Sequence, residues 1–223
     1  MKKRLFYVVA ALVMGTSVFA QEPESKWTTG ADVVSSYVWR GLYLSGVSVQ
    51  PAVSFSTNGF TIGGWGSANF NGSSLEADLF ASYAFDFGLS LGLTDYYFPS
   101  IEDGNDYFEY SKEAGSHIFE LNAGYEVSGF SVSANYVFNE AGGAGSAGGD
   151  KYFELGYTYK NVNFFVGAGD GLQSSDGEFK ITNIGLSASK EIEITPSFTV
   201  PLTGSVILNP DTKKFFLVAA VSF

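Results

Sequence analysis

The chain has 223 residues, 45% hydrophobic, 17% aromatic and 16% charged, with 27 glycines, no cysteine and a single histidine, His117. Without cysteine there is neither a disulfide framework nor a thiolate metal site, and one histidine argues against a histidine-based metal centre. The formal charge of −11 opposes nucleic-acid binding, which needs Lys and Arg at phosphate spacing.

In chain order, residues 1–20 come first. Lys2, Lys3 and Arg4 precede an apolar run from Leu5 to Val13, and Ser-Val-Phe-Ala ends at Ala20 before Gln21. This is the pattern of a Sec signal peptide: the run is too short to span a bilayer, and small residues mark the cleavage site. No cysteine stands at that site, against a lipoprotein. Cleavage near Ala20 removes three bases and no acid, so the mature chain, residues 21–223, carries −14. Beyond Ala20 no run of eighteen apolar residues occurs. A membrane-spanning form of this chain must therefore be a closed barrel, in which every backbone group is satisfied without water.

The alternation that identifies such strands is clearest between Phe119 and Asn139. Phe130, Val132, Ala134, Tyr136 and Phe138 fall on one face, and Ser131, Ser133, Asn135, Val137 and Asn139 on the other. Phe119, Leu121, Ala123 and Tyr125 repeat the pattern before the turn Val127-Ser128-Gly129. Applied to the whole chain, it predicts twelve strands over 27–40, 47–56, 60–70, 75–85, 89–98, 117–126, 130–139, 151–159, 162–169, 179–189, 197–208 and 215–223. Ten strands, with a weaker pair lost, is the competing count. The expected fold is an all-β, transmembrane, antiparallel up-and-down barrel without a soluble domain.

The connections alternate in length. Asn58-Gly59, Asp86–Gly88, Val127–Gly129, Lys160-Asn161 and Lys190–Pro196 are mostly short, whereas Pro99–Ser116, Glu140–Asp150 and Asp170–Glu178 are long. Short periplasmic turns opposite longer external loops are usual for outer-membrane barrels, and an even strand count leaves both termini in the periplasm. Phe60, Phe85, Tyr125, Phe130, Tyr159, Phe164, Phe198 and Phe223 are placed for a periplasmic aromatic girdle, and Phe70, Tyr97, Phe138, Phe153 and Phe179 for an outer one. The last strand, FFLVAAVSF, ends on Phe223, the kind of terminal aromatic that the barrel-assembly machinery reads.

The residues from Asp32 to Phe70 carry a resemblance. Ser36, Tyr37, Val38, Arg40 and Gly41 are followed by Gln50-Pro51-Ala52, then Gly59-Phe60, then Gly64, Trp65, Gly66 and Ser67. In order and spacing this resembles the TorF-type family of outer-membrane porins, with Ser36 adjacent to Tyr37 rather than one residue removed. The match covers about the first third of the mature chain. It implies an outer-membrane barrel acting as a channel, and no catalytic site to carry over.

With the apolar face outward, the inner face gathers the candidate pore-lining residues Asp32, Arg40, Trp65, Glu76, Asp78, Glu120, Glu126, Glu154 and Lys180. Charges on membrane strands belong on the lumen side, so a polar interior is expected of any barrel; a solute-selecting lining is the functional reading. Trp65, Phe80 and Phe165 also point inward and narrow the lumen. Arg40, at the outer end of the first strand, is expected to pair with Glu76 or Asp78 across it.

Three other features read as bland. Gly143 to Gly148 forms a GxGxxG, but a strand follows it, so there is no helix terminus to bind an anion. Ser116 and His117 are neighbours on a strand and point to opposite faces, which keeps them from acting as nucleophile and base. Glu102, Asp103, Asp106, Glu109 and Glu113 lack the spacing of a calcium loop. The reading that results is an outer-membrane channel for small hydrophilic solutes in a Gram-negative bacterium, with cation preference. It needs no cofactor; its partners are outer-membrane lipid, the assembly machinery and the solutes. A non-conducting structural or adhesive barrel is the alternative, and an outer-membrane enzyme the weaker one.

Overall fold

The computed structural model describes residues 26–99, 106–196 and 198–223. Residues 1–20, with the expected signal peptide, lie outside them, as do Glu102 and Asp103. Twelve strands close into one antiparallel barrel: β1 (Lys26–Val34), β4 (Ser48–Thr57), β5 (Phe60–Asn69), β6 (Leu75–Ala84), β7 (Leu89–Tyr97), β8 (His117–Val127), β9 (Phe130–Val137), β10 (Lys151–Tyr159), β11 (Val162–Gly171), β12 (Gly177–Thr195), β13 (Phe198–Asn209) and β14 (Lys214–Ser222). Each pairs with its neighbours in sequence order, and β1 closes on β14 through Asp32↔Ser222, Val33↔Val221 and Val34↔Ala220. The terminal residue completes the seam: the Phe223 amide donates to the Ala31 carbonyl at 3.0 Å, and Ala31 returns the bond at 3.2 Å. A count of ten strands is thereby excluded.

Period-two alternation sets the two faces of the wall. On β6, Leu75 and Leu79 are 44% and 54% exposed, whereas Glu76 and Asp78 between them are 4% and 3% exposed. Leu91, Leu93, Leu121, Val132, Leu155, Val166, Ile181 and Leu217 are also on the exposed outer face. A soluble fold would bury these side chains. Tight turns carry the backbone conformations that two-residue hairpins require, with positive φ at Asn58 and Gly59 (48° and 81°) and at Ser128 and Gly129 (51° and 84°).

The structure departs from the expected strands at two places. The first wall strand stops at Val34 rather than residue 40. The remainder makes a separate two-stranded hairpin, β2 (Tyr37–Trp39) and β3 (Leu42–Ser45), that pairs with no wall strand. The other departure is β12, which runs to Thr195, six residues past the expected end, pairing with β13 down to Phe198. Near its other end β12 carries a bulge: Gly167 faces Asn183 while Ala168 faces Ile181. Thr182 is the extra residue, so Thr182 and Asn183 are both buried in succession.

Of the girdle positions, Phe60, Tyr125, Phe130, Tyr159, Phe164, Phe198 and Phe223 are exposed at the short-turn end, and Phe70, Phe138, Phe153 and Phe179 at the other. Phe85 is half-buried against Tyr83 and Phe87. Tyr97 is a correction: only 8% exposed, it lies beneath Tyr107 of the following loop, whose ring centroid is 5.1 Å away.

Candidate functional site: a plugged polar lumen

The β2–β3 hairpin folds into the barrel. Its turn is Arg40-Gly41, with φ of 51° and 82°, the same double positive-φ geometry as the wall turns. The tip is held by fully buried polar groups of the wall. Asn209 on β13 donates through Nδ2 to the Gly41 carbonyl at 3.0 Å, and Thr182 on β12 donates through Oγ1 to the Arg40 carbonyl at 3.4 Å. A Cβ at position 41 would sit 1.9 Å from the Thr182 carbonyl oxygen, so only glycine allows this approach.

Arg40 reaches the other way, to β8. Its Nη1 and Nη2 donate to Glu120 Oε2 and Oε1 at 2.7 and 2.8 Å, a bidentate pair with side-chain exposures of 7% and 1%. The guanidinium is 4.5 Å from the ring centroids of both Trp39 and Tyr152. Glu120 accepts two further bonds, from the Tyr96 hydroxyl at 3.0 Å and from Asn122 Nδ2 at 2.7 Å. The expected partners Glu76 and Asp78 are not the ones Arg40 takes. The hairpin carries the arginine away from β6, and the signal for Glu120, eighty residues distant, is absent from local sequence.

The network continues along the wall. Tyr152 donates its hydroxyl to Glu154 Oε2, and Asn183 Nδ2 donates to the same oxygen at 2.9 Å and to the Tyr152 hydroxyl at 3.1 Å. Above the tip, Tyr96, Ile118, Val137 and Ala141 form a buried apolar cluster, with Trp39, Phe98, Ala144 and Leu172 packed against it. Plug, wall and the loop after β9 thus meet at the loop-bearing end.

The remaining candidates sort by position. Asp32, Glu76, Asp78 and Glu154 are buried on inner-face positions; Trp65 and Glu126 are half-buried on inner-face positions. Lys180 stands at the loop-bearing rim, 34% exposed, bonded to Asp176 at 2.7 Å and Asp211 at 2.9 Å. Asp211 also accepts the Ser175 amide at 2.7 Å and hydroxyl at 2.9 Å, which ties the β11–β12 connection to the β13–β14 turn. Its carboxyl is held below the usual range by the Ser175 amide and then by Lys180, and that of Asp176 by Lys180 and then by the Glu178 amide.

His117 marks a feature that sequence reasoning missed. Its Nδ1 lies 2.8 Å from Asp95 Oδ1 and its Nε2 2.7 Å from the Tyr107 carbonyl, with Tyr97 and Tyr110 rings at 4.5 Å. Both nitrogens are engaged, so neither is free to activate a nucleophile. Asp95 shares the outward face of β7 with Leu91 and Leu93. An acid on that face, together with the only histidine at an outward position of the next strand, was the available signal. The GxGxxG segment begins within a short 3-10 turn, Gly142–Ala144, and runs on as loop ahead of β10.

An up-and-down β-barrel with an apolar exterior and a plugged, acid-rich interior is the class of protein that this fold and site define. The chain belongs to the family described as "Bacterial protein of unknown function (Gcw_chp)", whose model matches residues 20–200, well beyond the segment that first carried a resemblance. No curated protein matches the chain. Among solved structures it is similar to a tryptophan mutant of Rh. blastica porin, at 15% identity and a TM-score of 0.40, covering 79% of this chain and 55% of that one. A porin refined at 1.8 Å resolution gives 17% identity and a TM-score of 0.38, covering 81% of this chain and 65% of that one. A double mutant of OprD gives 13% and 0.35, covering 89% and 65%. The chain thus spans between 55% and 65% of the length of these porins. The closed barrel itself rests on the strand pairing above.

Proposed function

We propose that this protein is a narrow outer-membrane channel through which small hydrophilic solutes diffuse, cations in preference to anions. The observation that carries the reading is a polar, acid-rich interior within an apolar exterior. Glu76, Asp78, Glu126 and Glu154 remain on the inner face without a lysine or arginine salt bridge among the described residues, since Arg40 is matched by Glu120 and Lys180 by rim aspartates. Charge of one sign inside a low-dielectric wall concentrates counter-ions, an effect that fades as salt shortens the Debye length from about 10 Å at 0.1 M. The TorF-type resemblance points the same way. Sec export, cleavage near Ala20, residence in the outer membrane of a Gram-negative bacterium and recognition of the Phe223 strand by the barrel-assembly machinery complete the reading. No catalytic role is assigned.

The test is a planar-bilayer recording of purified protein under a salt gradient. The reversal potential should report cations at low ionic strength and move toward zero at high salt. Anion preference refutes the lumen charge assignment. The plug favours a second reading, a non-conducting structural barrel, because its tip touches the wall on both sides; folded protein that never conducts would establish that reading instead.

A further inference from the structure

We propose that Glu76 and Asp78 of the wall, together with Tyr37 of the plug, hold a partly hydrated hard cation at the foot of the plug, an inference that rests on the channel reading above and deepens it. The two carboxylates are successive inner-face residues of β6, 4% and 3% exposed. Burying two like charges side by side is unfavourable unless a counter-charge joins them. No lysine, arginine or histidine among the described residues makes a salt bridge with either, because Arg40 is engaged by Glu120.

A second observation comes from another element. Tyr37, on β2, is 6% exposed, and its hydroxyl approaches Glu76 and feels the charge of both carboxylates, yet it completes no hydrogen bond of good geometry. Asp78 Oδ1 and the indole N–H of Trp65, the residue facing Asp78 on β5, are likewise buried and without a hydrogen-bond partner. The Trp65 ring lies 5.6 Å from that of Tyr37. The cleft therefore offers oxygen acceptors to a hard cation and a donor to one of its waters.

The number of ligands decides the strength. No cluster of three or more His, Cys, Asp or Glu residues suited to a metal ion occurs among the described residues. Two carboxylates and a neutral hydroxyl leave the ion most of its hydration shell, so it is held weakly and exchanges. That suits an ion in transit rather than a structural metal. Because Tyr37 belongs to the plug, the ion also bridges plug and wall.

Terbium luminescence tests this on the full-length protein in detergent. Tb³⁺ replaces Ca²⁺ on oxygen ligands, and Trp65 is placed to sensitise its emission. Saturable emission, competed by Ca²⁺, is expected from the wild type and from the loop variant D176N/D211N. It should fall at least tenfold in E76Q/D78N, with Y37F intermediate. Heat-dependent gel mobility shows whether each variant is folded. Equal emission from folded E76Q/D78N, or emission lost only in D176N/D211N, overturns the site. So does wild-type protein that gives no saturable signal, which would mean that the carboxyls carry protons instead. Bilayer recordings separate this outcome from failure of the channel reading: a conducting wild type without terbium binding refutes the site alone.

Discussion

Removing the Arg40 guanidinium should release the plug. In the docked state Arg40 and Glu120 are joined by two short bonds with 7% and 1% of their side chains exposed, so the pair lies in the buried regime. Arg40→Ala leaves Glu120 with only its bonds from Tyr96 and Asn122 and no counter-charge. Truncating one member of a buried pair costs about 3–5 kcal/mol. That cost falls on the docked state, because with the plug displaced Glu120 faces an aqueous lumen. At about 1.4 kcal/mol per factor of ten, the balance between docked and displaced plug moves by roughly two to three and a half powers of ten. Single-channel recordings should show this as a rise in the fraction of time spent at the largest conductance. Arg40→Lys should lie between, since an ammonium keeps the charge but loses the fork and the stacking between Trp39 and Tyr152. The swap Arg40→Glu with Glu120→Arg should restore part of the wild-type behaviour. If Arg40→Ala gates like the wild type while its barrel melts at a lower temperature, the pair braces the wall and does not latch the plug.

Three further outcomes follow from the geometry. Gly41→Ala should raise conductance much as Arg40→Ala does, because its Cβ would meet the Thr182 carbonyl; wild-type gating would show that the tip docks less tightly than this. Cysteines at the exposed positions Ser111 and Ala147 should react with an impermeant reagent on intact cells, and one at Ser128 should not; reversed labelling would invert the topology. The rim clasp should survive mild acid. Asp176 and Asp211 have folded pKa values below their ordinary one, so their contribution is intact above that value and is lost as pH falls through the depressed one. The Ser175 amide resonance should therefore titrate with a midpoint below the ordinary Asp value of about 3.9 and cease to do so in Asp211→Asn. A midpoint at or above that value would contradict the clasp.

Ten of the twelve wall strands were legible to within two residues at both ends, because a strand with an apolar exterior on one face and a polar lumen on the other must alternate along the chain. The same rule concealed the plug. Tyr37 and Trp39 continue the alternation of β1 past Ser35-Ser36, and a hairpin inside a barrel alternates as a wall strand does. The one local sign was Arg40-Gly41, a dipeptide suited to the same tight turn as Asn58-Gly59. Direction was not legible at all. Whether a loop turns into the lumen or over the rim is set by distant partners such as Glu120, Thr182 and Asn209, and period-two patterning carries no information about them. For the same reason Tyr97 was placed in a girdle when the loop containing Tyr107 and Tyr110 covers it.

The length of the hairpin explains why it bridges the lumen. Its base is pinned: Ser35 N–H donates to the Ala219 carbonyl at 2.8 Å, and Ser45 and Ser48 share a hydroxyl bond at 2.9 Å beside Gly46. Between these anchors each arm has about five residues, which extended reach roughly 17 Å. Twelve strands spaced about 4.8 Å apart and tilted about 40° enclose a backbone diameter of roughly 24 Å, and inward side chains fill much of the difference. An arm of this length brings the tip within reach of β8 and of β12, which lie five and three strands from β1 in opposite directions around the wall. Glu120 then takes the charge of Arg40 from one side, while Thr182 bonds its backbone from the other. Shorter arms would leave the guanidinium beside the carboxylates of β6, the pairing that the sequence led one to expect. The reach of the hairpin leaves Glu76 and Asp78 without that arginine, and so makes room for a mobile cation at the foot of the plug.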